Sequence, residues 1–113
     1  MVLTKAEPFS KKEIEKIREL FDVYIKTVID VEEKICCAGI DRHFEGEELL
    51  LKQGSKQSNL WGGGLDLETT TIDCNSFINI RPNNGNTSNE IQDPEIRRKF
   101  EELMRFFFKE VYE

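Results

Sequence analysis

With 22 acidic residues against 16 basic ones in 113, the chain has a formal charge of -6 and an isoelectric point near 4.9. That balance excludes a phosphate-backbone binder, whose affinity rests on clustered Lys and Arg, so no nucleic-acid partner is expected. No apolar run approaches the roughly 18 residues of a bilayer span, and three cysteines lack the framework spacing of a stapled secreted domain. The expectation is a cytoplasmic protein folded as a single α+β domain over residues 1–113.

Ser10 has the position of a helix N-cap, with Glu13 at N3 to close a capping box and Phe9 opposite Ile14 as a hydrophobic staple. Ile14, Ile17, Phe21 and Tyr24 recur at helical spacing beside Leu20, which predicts a face packed on a sheet. From Ile25 the period becomes two, with Ile25, Thr27, Ile29 and Val31 on one side. Glu32 and Glu33 mark a hairpin tip, and residues 34–40 follow as a strand with so little polar surface that it should lie inside the sheet. Cys36 and Cys37, adjacent on that strand, would point to opposite faces and so suit packing better than a shared metal ion.

Asp41, His43, Glu45 and Glu47 lead into a short helix that runs through Gln53 and ends on Gly54 at C′. A polar loop then reaches Trp61 and three consecutive glycines, Gly62, Gly63 and Gly64. Glycines in a strand let a backbone, an aromatic ring or a ligand come close. Residues 61–67 and 71–81 read as a second hairpin turned near 68–70. The longer strand alternates Ile72, Cys74, Ser76, Ile78 and Ile80 against a mostly polar Asp73, Asn75, Phe77, Asn79 and Arg81.

After Pro82 comes a loop rich in asparagine, Asn83, Asn84, Asn86 and Asn89, and then Asp93 as N-cap with Pro94 at N1 of the last helix. Ile96, Phe100, Leu103, Met104, Phe107 and Val111 form its apolar stripe. Phe106 and Phe108 widen that stripe, which predicts a homo-oligomer with the C-terminal helix in the interface. The order is αββαββα: an antiparallel sheet of about four strands with the long helices on one face.

Two residue sets carry candidate chemistry. Hairpin pairing would bring Trp61 near Arg81, which gathers Ser55, Lys56, Gln57 and Trp61 with Asn79, Arg81, Asn83 and Asn86. Such a set suits an anionic or polar small molecule, or a protein partner; equally, Arg81 could pair with an acid and the asparagines could cap turns. The second set is Asp41, His43 and Glu47, with Glu45 beside them, where the lone histidine meets carboxylates and could hold a divalent cation. No catalytic signature is present, so catalytic residues and cofactors stay unassigned. The leading reading is a non-enzymatic binding or interaction domain, and the alternative is a metal-dependent enzyme or metal-binding protein.

Residues 50–62, LLKQGSKQSNLWG, and 78–86, INIRPNNGN, with Ile91, Gln92, Asp93 and Pro94 after them, are distinctive together. Over roughly residues 25–100 the chain resembles a family of small prokaryotic proteins of unknown function. The resemblance implies a prokaryotic, cytosolic single domain and brings no catalytic residue. The run of three glycines departs from that pattern, where fewer would be expected.

Overall fold

Side chains fix where the helices begin and end. Ser10 Oγ accepts the Glu13 amide at 3.1 Å while the Glu13 carboxylate accepts the Ser10 amide at 2.8 Å, so the predicted capping box starts α1 (Lys11–Arg18). Asp93 accepts the amides of Glu95 and Ile96 ahead of α3 (Pro94–Phe107). Between them, α2 (His43–Lys52) closes on Gly54, whose φ is +105°. The Ser55 amide donates to Leu50 and the Gly54 amide to Leu51, the two bonds of a Schellman stop.

The structure, a computed structural model, describes residues 2–112. Five strands make one antiparallel sheet: β1 (Leu3–Lys5), β2 (Tyr24–Asp30), β3 (Ile35–Ile40), β4 (Leu60–Asp66) and β5 (Thr71–Asp73). Their spatial order is β1-β3-β2-β4-β5, and a short α4 (Lys109–Tyr112) follows α3. The α+β class and the internal position of β3 are as predicted. The fifth strand, β1, is three residues long and too short to display an alternation.

The pleat sends alternate residues to two separate cores. Ile25, Ile29, Cys36, Ala38, Trp61 and Leu65 meet Phe9, Ile17, Phe100, Met104 and Phe107 under α1 and α3. On the opposite side Val28, Cys37, Ile40 and Leu60 meet Leu50 under α2. Cys36 and Cys37 thus do face opposite ways. The helix α2 lies on its own face because Gly46 brings it down onto Val28 and Ile40, where an added Cβ would stand 2.9 and 3.0 Å from their side chains.

Three expectations need correction. The helical face read through Leu20, Phe21 and Tyr24 stops short, because α1 ends at Arg18, Leu20 is exposed and Tyr24 opens β2. The strand predicted over 71–81 stops at Asp73, since short polar side chains there bind the backbone in place of a ladder. Asp73 accepts the Asn75 amide, Ser76 Oγ accepts the Ile78 amide, and the chain winds into 3-10 turns at Phe77–Asn79 and Pro82–Asn84. Phe108, expected to widen an outward stripe, is fully buried with its ring centroid 5.0 Å from that of Phe9, because the backbone leaves α3 at that residue. Phe106 stays outside, 44% exposed.

Candidate functional site

The outer edge of β4 organises the region. Gly64 pairs with Asp73 of β5, but beyond that residue no strand continues, and Gly62 and Leu60 need other partners. Asn79 supplies the first: its Oδ1 accepts the Gly62 amide at 2.8 Å and its Nδ2 donates to the Gly62 carbonyl at 2.9 Å. The same Nδ2 reaches the carbonyls of Cys74 and Asn89, so one buried amide joins β4 to two further segments. Arg81 supplies the second, donating from Nη2 to the Leu60 carbonyl, from Nη1 to Gln57 at 2.8 Å and from Nε to Ile78 at 3.0 Å. Two side chains therefore finish the ladder that β5 leaves.

Arg81 also lies over Trp61, 4.4 Å from the ring centroid, so these two residues meet as expected, though by the irregular path and not by strand pairing. Trp61 is buried, and its indole N–H has no partner among the described residues. Burial pulls the Arg81 guanidinium down from its ordinary value, and the nearby Glu47 carboxylate opposes that pull. Asn86 ties the following loop: Nδ2 donates to Asn79, Ser88 and Glu90 carbonyls, and Oδ1 accepts the Gln92 amide. Asn83 is exposed on its 3-10 turn.

The other members of the first set lie to one side. Ser55 Oγ donates to buried Asp30 at 2.7 Å, which fastens the loop after α2 to the end of β2. Lys56 is exposed and, with Gln53, Ser55 and Asn59, lines a groove of about 520 Å³ against Glu32 and Glu33 at the hairpin tip. Gln57 enters through its carbonyl, with its side chain exposed. The eight residues are thus a buried frame of Trp61, Asn79, Arg81 and Asn86, and an outer edge of Ser55, Lys56, Gln57 and Asn83.

Each of the three glycines is occupied by a neighbour. A Cβ on Gly62 would stand 2.7 Å from Ser76 and 3.1 Å from His43; on Gly63, 2.7 Å from the Phe100 ring; on Gly64, 2.3 Å from the Tyr24 hydroxyl. Packing accounts for all three positions. Tyr24 crosses Gly64 to donate to Asp73 at 2.5 Å, and burial, reinforced by Asp73, raises its pKa.

The second set forms no metal-binding cluster among the described residues. His43 holds the Gly63 carbonyl at 2.8 Å through Nε2, which must carry the proton, and the nearest charge to Arg81 is the Glu47 carboxylate, which holds its pKa up against burial. The backbone carbonyl of Asp41 accepts Lys26 Nζ at 2.7 Å. Among the described residues no three His, Cys, Asp or Glu side chains gather as a metal would require. Burial lowers the His43 pKa below 6.5, Gly63 opposing, so the ring is neutral near pH 7. The three cysteines are free and buried, and burial holds their thiols protonated, Cys74 pushed up to about 12.

Sequence reasoning missed what stands on this frame. Phe77 is 81% exposed, and Ile80, one 3-10 turn on, is exposed as well. Phe44 and Leu51 are exposed on α2, seven residues apart and so on one stripe of the helix. His43 and Ser76 crowd the same glycine, and they directly precede the exposed Phe44 and Phe77. The usable signal was Asp73, Ser76 and Asn79, turn formers inside an apparent strand.

An antiparallel α+β domain with a side-chain-sealed strand edge and two exposed phenylalanines, Phe44 and Phe77, is the class that the geometry defines. Residues 3–107 match the family described as protein of unknown function (DUF5674), and the chain belongs to that family. No curated protein and no solved structure matches it. No helix among the described residues is long and apolar enough to cross a membrane.

Proposed function

We propose that the chain is a non-enzymatic binding or interaction domain whose contact face lies over Arg81, between α2 and the 3-10 turns. The observation that carries this reading is Phe77. An aromatic ring left 81% exposed costs solvation free energy and adds nothing to the core, yet Asn79, Ser76 and Arg81 hold its turn through backbone bonds. Phe44, Leu51 and Ile80 extend the apolar area. Gln57 and Asn83 give it a polar border, with Ser55 and Lys56 beyond, while Trp61, Asn79, Arg81 and Asn86 act from beneath by fixing its shape.

A photo-crosslinking side chain placed at position 77 in cells tests the reading. A discrete adduct is expected from position 77, none from exposed Glu19 on the opposite face, and loss of the adduct on adding Ile80→Asp. Equal adducts from both positions would defeat the proposal.

Phe106 favours a second contact, between copies of this chain. With Val31 and Leu103 it lines a groove of about 590 Å³ beside α3, and the C-terminal helix is accordingly the proposed homo-oligomer interface. Sedimentation should show a concentration-dependent dimer that Phe106→Asp abolishes; a monomer at every concentration rejects the second contact alone.

A further inference from the structure

We infer that Asn84 is a site of spontaneous covalent modification, converted to an aspartyl or isoaspartyl residue through a ring that the Gly85 amide closes. The asparagine-rich loop supplies the setting. Arg81 and Asn86 bridge its base, the Arg81 amide donating to the Asn86 carbonyl at 2.7 Å and the Asn86 amide to the Arg81 carbonyl at 3.1 Å. Pro82, Asn83, Asn84 and Gly85 form its tip, and all of them are exposed.

In this reaction the Gly85 nitrogen attacks the side-chain carbonyl carbon of Asn84, gives up its proton and expels ammonia, which leaves a cyclic imide. Solvent water then opens the ring at either carbonyl. One opening restores the ordinary backbone with a carboxylate side chain; the other routes the backbone through the side-chain carbon as an isoaspartyl link. A side chain on the following residue hinders the closure, but Gly85 has none, and a Cβ built there would meet nothing within 4 Å. The Asn84 carboxamide is exposed, and the residue's backbone amide is what holds it, donating to Arg81 at 2.9 Å. The Gly85 amide donates to the Pro82 carbonyl at 3.1 Å across a single exposed turn, so opening that bond disturbs no buried group.

The other asparagines are controls within the same chain. Asn79 and Asn86 are buried, with their carboxamides bonded to several backbone groups. Asn59, Asn75, Asn83 and Asn89 precede Leu60, Ser76, Asn84 and Glu90, which all carry side chains. The amides of those four are engaged as well, with Gln57, Asn89, Arg81 and Ser88 respectively.

The modification reaches the sealed edge. An isoaspartyl link adds a methylene to the main chain of a loop whose base is fixed by the Arg81–Asn86 bridge, so the turn no longer closes on the Arg81 and Pro82 carbonyls. Arg81 and Asn86 stand at that base, and their side chains hold Gln57, Leu60, Asn79 and Glu90. The modified chain therefore has a loosened frame, produced by elapsed time and not by a ligand.

Incubation of the folded chain in mildly alkaline buffer, followed by digestion and fragmentation mass spectrometry, tests the inference. Position 84 should gain the mass difference between NH and O while the other asparagines stay unchanged. A methyltransferase that accepts only isoaspartyl carboxylates should label the product. Asn84→Gln, whose longer side chain must close a larger ring, should abolish both signals and leave the melting temperature of fresh protein unaltered. The isoaspartyl fraction, separated by its added charge, should melt below the unmodified chain. If position 84 stays intact in the folded chain but is modified in the same chain unfolded in urea, the Pro82 bond locks the turn and the inference is overturned. Equal modification of several exposed asparagines, or of none in either state, overturns it too. An isoaspartyl fraction that melts with the unmodified chain overturns the link to the sealed edge.

Discussion

At Gly63 the sheet is closed by the Phe100 ring of α3; one residue earlier, at Gly62, it is closed by the Asn79 amide. The first contact is non-directional and belongs to a core of sixteen buried residues, the second is directional and adjoins a core of five. A large apolar core tolerates small displacements of its rings. A backbone sealed by one amide does not, so the α2 side holds its loops by hydrogen-bond geometry where the α3 side uses burial.

The largest effect should come from Phe100→Ala, about 3–5 kcal/mol in urea unfolding, as a fully buried ring is replaced by a cavity. Asn79→Ala should follow at about 2–4 kcal/mol, since it strands the Gly62 amide and carbonyl in a buried place. Should Asn79→Ala prove neutral, the comparison fails, for water would then seal the edge as well as the amide does. Arg81→Ala should cost about 1–3 kcal/mol by leaving three carbonyls short of a donor. A loss of stability below about 0.5 kcal/mol would place Arg81 among ordinary surface residues.

The smallest effect concerns pH. His43 sits at the joint of α2 and β4 with its pKa lowered first by burial, then by Lys26, with Gly63 and Asp73 opposing. A histidine depressed in the folded state leaves the unfolded chain binding more protons below pH 6.5, so its contribution is complete above that value and declines as pH falls toward the folded pKa. Stability measured across this window should slope downward toward acid, and His43→Gln should flatten that part of the slope. An unchanged slope would show that the joint is indifferent to this proton.

Much of the fold was legible because it is written locally. Ser10 and Glu13, Gly54, and Asp93 with Pro94 mark helix ends through bonds a few residues long, and Ile25, Thr27 and Ile29 share the face of β2 that packs under α3. The misread stretch is equally instructive. Ile72 to Arg81 keeps a period of two, but Asp73 and Ser76 bind their own neighbours' amides, and the strand gives way. Within the candidate site, the meeting of Trp61 and Arg81 could be anticipated, whereas the acceptors that Asn79 and Arg81 reach at Gly62, Leu60 and Gln57 lie 17 to 24 residues away and follow no spacing rule. Within the Asp41, His43 and Glu47 set, His43 and Glu47 share a face of α2 at i,i+4, but the His43 ring is taken up by the Gly63 carbonyl, and Asp41 lies before the helix begins.

The sealed edge has a bearing on solubility. An open strand margin offers unpaired amides and carbonyls to any other sheet, the first step of edge-to-edge aggregation. Here β5 offers three residues, β1 three, and the rest of the β4 margin is covered by an amide and a guanidinium that no incoming strand can pair with in register. The two side chains that hold the loop in place thereby also keep this sheet from growing.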